Sequence, residues 1–314
     1  MAEVMKSKKG LTLRLSHPRE SDFADKAVCL FSAPGTEDRS RLPFWDDRMN
    51  RDPASCSEIL TQGPSNVVVK ADDTETTLAL RDRDSLANAF RGRDVAYLDI
   101  SGLAHHVWAP LIRVGLEVTR ESWVVYVEPS RYRPHPSPAS DTIFDLSTEL
   151  GGVEPLPGFV NLRGPKEETR AVFVPLLGFE GMRARQVAIV LDPMPQNIVP
   201  IVGVPGFRIE YPFVAVSCNQ EFLDEYAAHD RVRTARASCP FETYRVLDDI
   251  RRDFPGCYLY LAPVGTKPHA LGAISYAIEH PADTEVMYDH PKRRPQRTFG
   301  VGPTHVYCLK DTLT

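Results

Sequence analysis

The segment "YLAPVGTKPHALGAISYAIEHP", residues 260–281, places a Gly-Thr-Lys turn between an apolar strand and a helix. Where a strand leads into a helix, unpaired backbone N–H groups and the positive end of the helix dipole point at one place, which favours an anion. Gly265, Thr266, Lys267 and His269 are therefore candidate ligand-binding residues, with phosphate as the expected group. The alternative is structural: a solvated lysine, a proline in the first helical turn and a packed histidine.

A similar junction occurs in the first half of the chain. "YLDISGLAHHVWAPLI" from Tyr97 and "YLAPVGTKPHALGAIS" from Tyr260 align without a gap. Both contain a Tyr-Leu pair, a glycine and a histidine, the last two at Gly102 and His106 and at Gly265 and His269. Ser101 and Gly102 are therefore candidate ligand-binding residues of the first half.

Each half also places a glutamate and an arginine just after an early apolar strand. These are Glu37 and Arg39 in "LFSAPGTEDRSR", and Glu180 and Arg183 in "PLLGFEGMRAR". The arginines are candidates for binding phosphate, because a guanidinium group can pair with it through two hydrogen bonds. Glu37 and Glu180, together with His269, are candidates for catalysis. The alternative is that each glutamate stabilises the first turn of a helix and pairs with the arginine beside it.

The elements that position these residues follow a regular pattern. Apolar runs alternate with segments of helical periodicity almost throughout, which predicts an α/β protein with mainly parallel sheets. The similarity of the halves has two interpretations: any two Rossmann-like segments align this well, or the chain contains an internal duplication. We favour two duplicated Rossmann-like units. The predicted organisation is a tail at 1–20, a unit at 21–135, a proline-rich connection at 136–168 and a unit at 169–314.

In an open α/β sheet, ligands bind outside the carboxyl ends of the strands. The candidate residues all follow predicted strands, so the sequence predicts that they line a cleft between the two units. A basic stretch, "YDHPKRRPQRTFGVGP", follows a late strand and includes Arg294. This stretch could close over the cleft and bind phosphate, although a run of charges is often only a solvated face.

Composition limits the possible functions. The net charge of −5 and the isoelectric point near 6.0 predict no general attraction to nucleic acid or to an anionic membrane. No apolar run approaches a membrane span and no signal peptide is recognisable, so we expect a cytoplasmic protein. The six cysteines show no zinc-site spacing and no dinucleotide, Walker A or hydrolase motif is present, so neither a metal nor a cofactor is predicted.

The stretch "LAPVGTKPHALG", residues 261–272, resembles the Gly-Thr-Lys signature of the CRISPR-associated Rossmann-fold (CARF) sensor domains, which bind cyclic oligoadenylate at a two-fold dimer interface. The resemblance implies that Gly265, Thr266 and Lys267 contact phosphate or ribose. It also suggests that two fused units would form a pseudo-dimeric cleft. The first half departs from the signature with Ser-Gly-Leu-Ala at 101–104, so an asymmetric ligand is as consistent with the sequence as a cyclic one.

Together, these features predict a protein that binds a nucleotide-derived ligand between two units, as the sensor component of a prokaryotic antiviral defence or stress system. No nuclease core or helix-turn-helix is recognisable, so a partner protein would supply the effector activity. Two other functions stay open. One is a nucleosidase or phosphodiester hydrolase that uses Glu37 or Glu180 with His269. The other is a protein-interaction subunit without a small ligand.

Overall fold

The computed structural model describes residues 2–7, 10–162, 164–165 and 168–309, with side chains from residue 10 onward. Parts of the predicted tail, connection and second unit therefore lie outside the described residues, at positions 1, 8, 9, 163, 166, 167 and 310–314. Contacts divide the chain into two compact units. The first unit comprises Met1–Arg131 with Thr298–Thr314, and the second unit comprises Tyr132–Arg297.

The described chain contains both strands and helices, with runs of consecutive strands at β4–β6 and β8–β13. The strands are β1 (Ala2–Ser7), β2 (Gly10–Leu15), β3 (Val28–Ser32), β4 (Cys56–Gln62), β5 (Asn66–Ala71), β6 (Thr74–Ala79), β7 (Val95–Asp99), β8 (Glu121–Tyr132), β9 (Pro134–Ala139), β10 (Thr142–Phe144), β11 (Ser147–Glu149), β12 (Glu154–Pro155), β13 (Ala171–Pro175), β14 (Ile201–Gly203), β15 (Arg233–Ala235), β16 (Tyr258–Ala262), β17 (Thr284–Tyr288), β18 (Lys292–Arg293) and β19 (Thr298–Cys308). The α-helices are α1 (Pro43–Arg51), α2 (Arg83–Ala87), α3 (His105–Val118), α4 (Gly181–Leu191), α5 (Tyr211–Cys218), α6 (Gln220–Glu225), α7 (Pro240–Asp253) and α8 (Lys267–Glu279). Short 3-10 turns lie at Glu20–Asp22, Pro53–Ser55, Asn88–Phe90, Pro195–Asn197 and His229–Arg231. The predicted α/β class is confirmed.

The first unit is built on one sheet, in the order β1-β2-β19-β8-β7-β3-β4-β5-β6 within the described chain. Its centre, β8-β7-β3-β4, is parallel, whereas β2 pairs antiparallel with β1 and β19, and β5 pairs antiparallel with β4 and β6. The hairpin between β5 and β6 turns at Asp72 and Asp73, both with positive φ. Such a short turn can join only antiparallel strands, because a parallel connection needs a crossover.

The boundaries of the first unit follow from its sheet. Leu15 in β2 pairs with Thr304 in β19, so a segment at each end of the chain belongs to the same hydrogen-bonded ladder. The sequence predicted a tail at 1–20 and placed residues 169–314 in the second unit. Pairing between segments this far apart leaves no trace in local periodicity, which reports only on neighbours along the chain.

The second unit contains a four-stranded sheet, β12-β17-β16-β13, in which β17, β16 and β13 are parallel. Parallel bridges from Phe173 to Ile198 and from Leu176 to Ile201 place β14 on the other side of β13, and β14 pairs parallel with β15. Buried apolar residues cover both faces. One cluster includes Val172, Leu259 and Tyr276, and the other includes Phe173, Val187 and Phe222.

The parallel strands have the same spatial order in the two units, namely β8-β7-β3-β4 in the first and β17-β16-β13-β14 in the second. In the first unit, the chain passes from β3 to β4 on one side of β3, and later to β7 on the other side of β3. In the second unit, it passes in the same way from β13 to β14 and later to β16. The reversal places a topological switch point between β3 and β7, and another between β13 and β16. In open α/β sheets, such points open ligand crevices at the carboxyl ends of the strands.

Among the described residues, no helix is both long and apolar enough to cross a membrane. Nor do three or more His, Cys, Asp or Glu side chains of the described chain come together as a set that could hold a metal ion. All six cysteines lie among the described residues, where they are buried and form no disulfide bond.

Candidate functional site

At the switch point of the second unit, Gly265 allows two loops to pack directly together. A Cβ atom at this position would lie 2.6 Å from the carbonyl oxygen of Leu177 and 2.9 Å from that of Leu176, in the loop after β13. A Cβ atom on Gly178 would likewise lie 2.7 Å from the carbonyl oxygen of Val264. These contacts give Gly265 a structural reason for lacking a side chain, independent of any ligand.

Thr266 caps helix α8. Its hydroxyl accepts a hydrogen bond from the backbone N–H of His269 and donates one, of 2.8 Å, to the carbonyl of Ala237. The cap accepts a hydrogen bond from one of the backbone N–H groups in the first turn, which have no partner within the helix. Lys267 follows as the first helical residue, and it is 6% exposed instead of solvated.

His269 is fully buried in the second unit. Its Nε2 lies 3.1 Å from the carbonyl oxygen of Arg236 and 3.3 Å from that of Ala235. Because both partners are acceptors, Nε2 carries the proton and donates. Burial lowers the pKa of His269 to about 4, so the ring is neutral at pH 7. The side chain thus ties α8 to the segment after β15.

Arg183 connects α4 to the end of β17. Its Nε and Nη2 atoms each lie 2.7 Å from an oxygen of Asp289, and Nη1 donates to the carbonyl of Val264 at 3.1 Å. Asp289 is fully buried and Arg183 is 7% exposed. Burial alone would lower the pKa of Arg183, yet the facing Asp289 carboxylate raises it above its usual value. Arg183 is therefore permanently charged, and its charge compensates the buried carboxylate of Asp289 within the second unit.

Glu180 precedes α4 and lies at the mouth of a pocket. Its carboxylate accepts a hydrogen bond of 3.1 Å from the hydroxyl of Ser147 and lies 3.6 Å from Nη1 of Arg183. Gly181, the first residue of α4, packs against the end of α5. A Cβ atom on Gly181 would be 1.9 Å from the carbonyl oxygen of Cys218. This close approach holds α4 against α5 and brings Glu180 to the pocket.

The pocket has a volume of about 280 Å³ and belongs entirely to the second unit. It is formed by the start of α4, the β10–β11 region and the junction of α5 with α6. Its lining comprises His135, Asp141, Thr142, Phe144, Asp145, Leu146, Ser147, Phe179, Glu180, Gly181, Met182, Arg185, Cys218, Glu221, Phe222 and Arg294. Two of the predicted site residues, Glu180 and Arg294, are therefore brought together here.

One side of the pocket is aromatic. The rings of Phe144 and Phe179 are 5.0 Å apart, and Phe179 also contacts Tyr132 and Tyr211, each at 5.1 Å. Such a cluster keeps its rings in fixed positions, because each ring is packed against others. The pocket therefore offers a rigid apolar surface beside its polar groups.

The polar groups of the pocket are mainly acidic. Four carboxylates, those of Asp141, Asp145, Glu180 and Glu221, outnumber the guanidinium groups of Arg185 and Arg294. Both arginines already pair with carboxylates, Arg294 with Asp145 at 2.6 Å and Arg185 with Glu225 at 2.7 Å. The pocket therefore favours hydrogen-bond donors, such as hydroxyl and amino groups, over a phosphate.

The predicted basic loop contributes less free positive charge than its composition suggests. Lys292 and Arg293 form β18, which pairs with β11, and Lys292 lies 3.7 Å from Glu149. Arg294 is the member of this stretch that lines the pocket.

In the first unit, Glu37 and Arg39 form an ion pair of 3.0 Å. Arg39 also donates to the carbonyl of Val127 at 2.8 Å, and Thr298 of β19 donates to Glu37 at 2.5 Å. Arg39 is only 3% exposed. This pair is therefore held inside the first unit by the strand that returns from the end of the chain.

Ser101 is buried and Gly102 is half-buried, and both make packing contacts within the first unit. The Ser101 hydroxyl accepts a hydrogen bond of 2.9 Å from the backbone N–H of Val127, and the Ser101 N–H donates to Asp99 at 2.8 Å. A Cβ atom on Gly102 would be 2.0 Å from the hydroxyl oxygen of Ser32. Both residues thus join the turn after β7 to neighbouring strands.

The two units repeat one further arrangement. The guanidinium carbon of Arg39 lies 5.6 Å from the ring centre of Tyr126 on β8, and that of Arg183 lies 5.4 Å from the ring centre of Tyr288 on β17. In each unit, then, the arginine after the first parallel strand contacts a tyrosine of the last parallel strand. In the sequence, the two tyrosines belong to the segments "VVYVEPSRY" and "EVMYDHPKRR", each of which combines an aromatic strand with a following proline.

Several polar residues of the site were not predicted, among them Asp145, Ser147 and Asp289. Asp289 had a usable signal, because an acid directly after an apolar strand lies at the carboxyl edge of a sheet. Asp145 and Ser147 had none, since Asp145 follows β10, Ser147 begins the short strand β11, and both reach the pocket only through tertiary packing.

No protein-family model matches this chain, and a search of curated proteins finds no significant match.

Proposed function

We propose that the protein binds a nucleotide-derived ligand whose nucleoside part occupies the pocket of the second unit. The observation that carries this proposal is the pairing of rigid aromatic rings with carboxylates at the carboxyl end of β13. A flat base suits the rings of Phe144 and Phe179, and ribose hydroxyls or a base amino group suit Asp145 and Glu180. The volume, about 280 Å³, is near the lower end of roughly 300–1,000 Å³ typical of small-ligand pockets, so it suits one nucleoside.

The phosphate of such a ligand is assigned to a different place. With an excess of carboxylates, the pocket repels an anion, whereas the Gly-Thr-Lys turn offers Lys267 at the start of α8. Lys267 stays the proposed phosphate-binding residue, together with Gly265 and Thr266. Because Lys267 is 6% exposed, engaging a phosphate requires its side chain to move outward.

We further propose that the chain arose by duplication of a Rossmann-like unit. The shared order of parallel strands, the Glu–Arg pairs and the Arg–Tyr contacts at Arg39 and Arg183 support this origin. Together with the CARF-like turn, they favour a cytoplasmic sensor of a defence or stress system whose effector activity comes from a partner protein.

A nucleosidase is the second candidate function, and the position of Glu180 favours it. This carboxylate lies in the pocket, oriented by Ser147 and Arg183, where it could stabilise positive charge that develops on a ribose. Glu37 and His269 do not line this pocket.

The test is calorimetric titration of adenosine and AMP into the wild-type protein and two matched variants. Glu180→Gln removes a charged hydrogen-bond acceptor worth roughly 1.5–3 kcal/mol and should weaken adenosine about ten- to a hundredfold. Glu37→Gln makes the same change in the first unit and should leave the affinity unchanged. Lys267→Ala should weaken AMP about tenfold or more and adenosine hardly at all, because adenosine has no phosphate.

Three results would contradict the proposal. Adenosine and AMP could fail to bind the wild-type protein, Glu180→Gln could bind as tightly as wild type, or Glu37→Gln could weaken binding equally. For the second candidate function, chromatography of the same mixtures would detect released adenine. Absence of adenine leaves ligand binding standing and eliminates the nucleosidase for this substrate.

A further inference from the structure

The outer face of α4 is unusually apolar for a surface helix. Met182, Ile189 and Val190 are 60%, 64% and 56% exposed, whereas Ala184 and Val187, on the other face, are fully buried. A helix at the surface normally turns polar residues outward. Met182 and Ile189 are seven positions apart and therefore face the same way, and Val190 lies about 100° further around the helix, so the three form one exposed side.

The short helix α6 borders this face and is acidic. The side chains of Glu221, Asp224 and Glu225 are 71%, 61% and 41% exposed. Arg185 of α4 connects the two helices through an ion pair of 2.7 Å with Glu225 and a longer contact of 3.9 Å with Glu221. Asp224 lies 2.7 Å from Nε2 of His229, so one guanidinium group and one imidazole face three carboxylates, and the cluster keeps a negative charge at neutral pH. We name these two surfaces together the α4–α6 face.

We propose that the α4–α6 face binds an amphipathic helix of a different protein, which carries apolar residues flanked by lysine or arginine. The apolar side chains of α4 would cover those of the partner helix, and the acids of α6 would pair with its cations. Charge complementarity selects this partner. A second copy of the chain, docked through the same face, would bring two acidic clusters into one interface without adding cations.

This proposal does not depend on a nucleoside ligand. Ile189, Val190, Asp224 and Glu225 do not line the pocket, so changes at these positions test the surface alone. Loss of nucleoside binding and loss of helix binding are therefore distinguishable results.

The experiment measures fluorescence anisotropy of two labelled model helices with the full-length protein. One helix has leucine on one face and lysine on the other, and the second has glutamate in place of lysine. The leucine–lysine helix should bind, and the Ile189→Ser/Val190→Ser double variant should weaken it about tenfold or more, because two exposed apolar side chains are lost. Val301→Ser, a matched change at an apolar residue of the first unit that is 49% exposed, should have no effect.

The acidic part is tested with Asp224→Asn/Glu225→Gln, which should weaken the leucine–lysine helix and reduce the salt dependence of its binding. Equal binding of the two model helices, or unchanged binding by the Ile189→Ser/Val190→Ser variant, overturns the proposal. Sedimentation provides a third decisive result. If the wild-type protein dimerises and the Ile189→Ser/Val190→Ser variant does not, the face binds a second copy and the proposal of a different partner is wrong.

Discussion

Replacing Arg183 by methionine should destabilise the second unit strongly. The change removes two hydrogen bonds of 2.7 Å to Asp289 and one of 3.1 Å to Val264, while retaining much of the side-chain volume. Asp289 is fully buried, so its carboxylate would be left in the interior without its cation. Breaking a buried pair from one side typically costs about 3–5 kcal/mol.

The matched control lies two residues away on the same helix. Arg185 pairs with Glu225 at 2.7 Å, but its side chain is 36% exposed and that of Glu225 is 41% exposed. Arg185→Met should therefore reduce stability by only about 0–1 kcal/mol, because water already screens this pair. The double variant Arg183→Met/Asp289→Leu should recover most of the loss, since both charges are then absent and an apolar pair replaces them.

The positions of the tryptophans allow the two units to be followed separately. All three, Trp45, Trp108 and Trp123, lie in the first unit, so their fluorescence reports on that unit, while far-ultraviolet circular dichroism reports on both. In urea titrations, Arg183→Met should lower the urea midpoint of the second unit, which is seen by circular dichroism, and should leave the fluorescence midpoint of the first unit unchanged. A loss no larger than that of Arg185→Met would refute the argument that Arg183 compensates a buried charge.

Three further changes test the turn after β16. His269 is neutral in the folded protein, with its pKa lowered by burial to about 4, whereas its unfolded value is about 6.5. As the pH falls, the unfolded chain therefore binds a proton at this histidine before the folded protein does. The free energy of unfolding should fall between pH 6.5 and pH 4 by up to about 3 kcal/mol. This loss should be seen when the stability of the wild-type protein is measured against pH and compared with that of His269→Gln. Gly265→Ala should cost about 1–3 kcal/mol in urea unfolding, because its Cβ atom would lie 2.6 Å from the Leu177 carbonyl oxygen; an unchanged midpoint would contradict that contact. Thr266→Ala should cost about 1 kcal/mol in thermal unfolding and Thr266→Ser much less, because serine retains the helix cap; equal losses would rule the cap out.

Local patterns predicted the elements well where each element is buried and bounded by clear signals. In the stretch "HHVWAPLIRVGLEV", for example, apolar residues repeat at helical spacing and predict a helix, and α3 spans these same residues, His105–Val118. The sequence predicted mainly parallel sheets, whereas β5 pairs antiparallel with both neighbours, since a continuous apolar run looks the same in a parallel or an antiparallel sheet. Only the turn at Asp72 and Asp73 carried the distinction.

By itself, the sequence determined the α/β class, the positions of the principal strands and helices, and the repeated strand–glycine–helix junctions at Gly102 and Gly265. These properties depend on residues close together in the chain, where propensity, periodicity and backbone freedom act directly. Only the tertiary structure decided that Arg183 pairs with Asp289, that β2 and β19 share a ladder, and that Glu180 lies in a pocket. Each of these depends on segments far apart in sequence, and burial and charge compensation between them are properties of the packed chain alone.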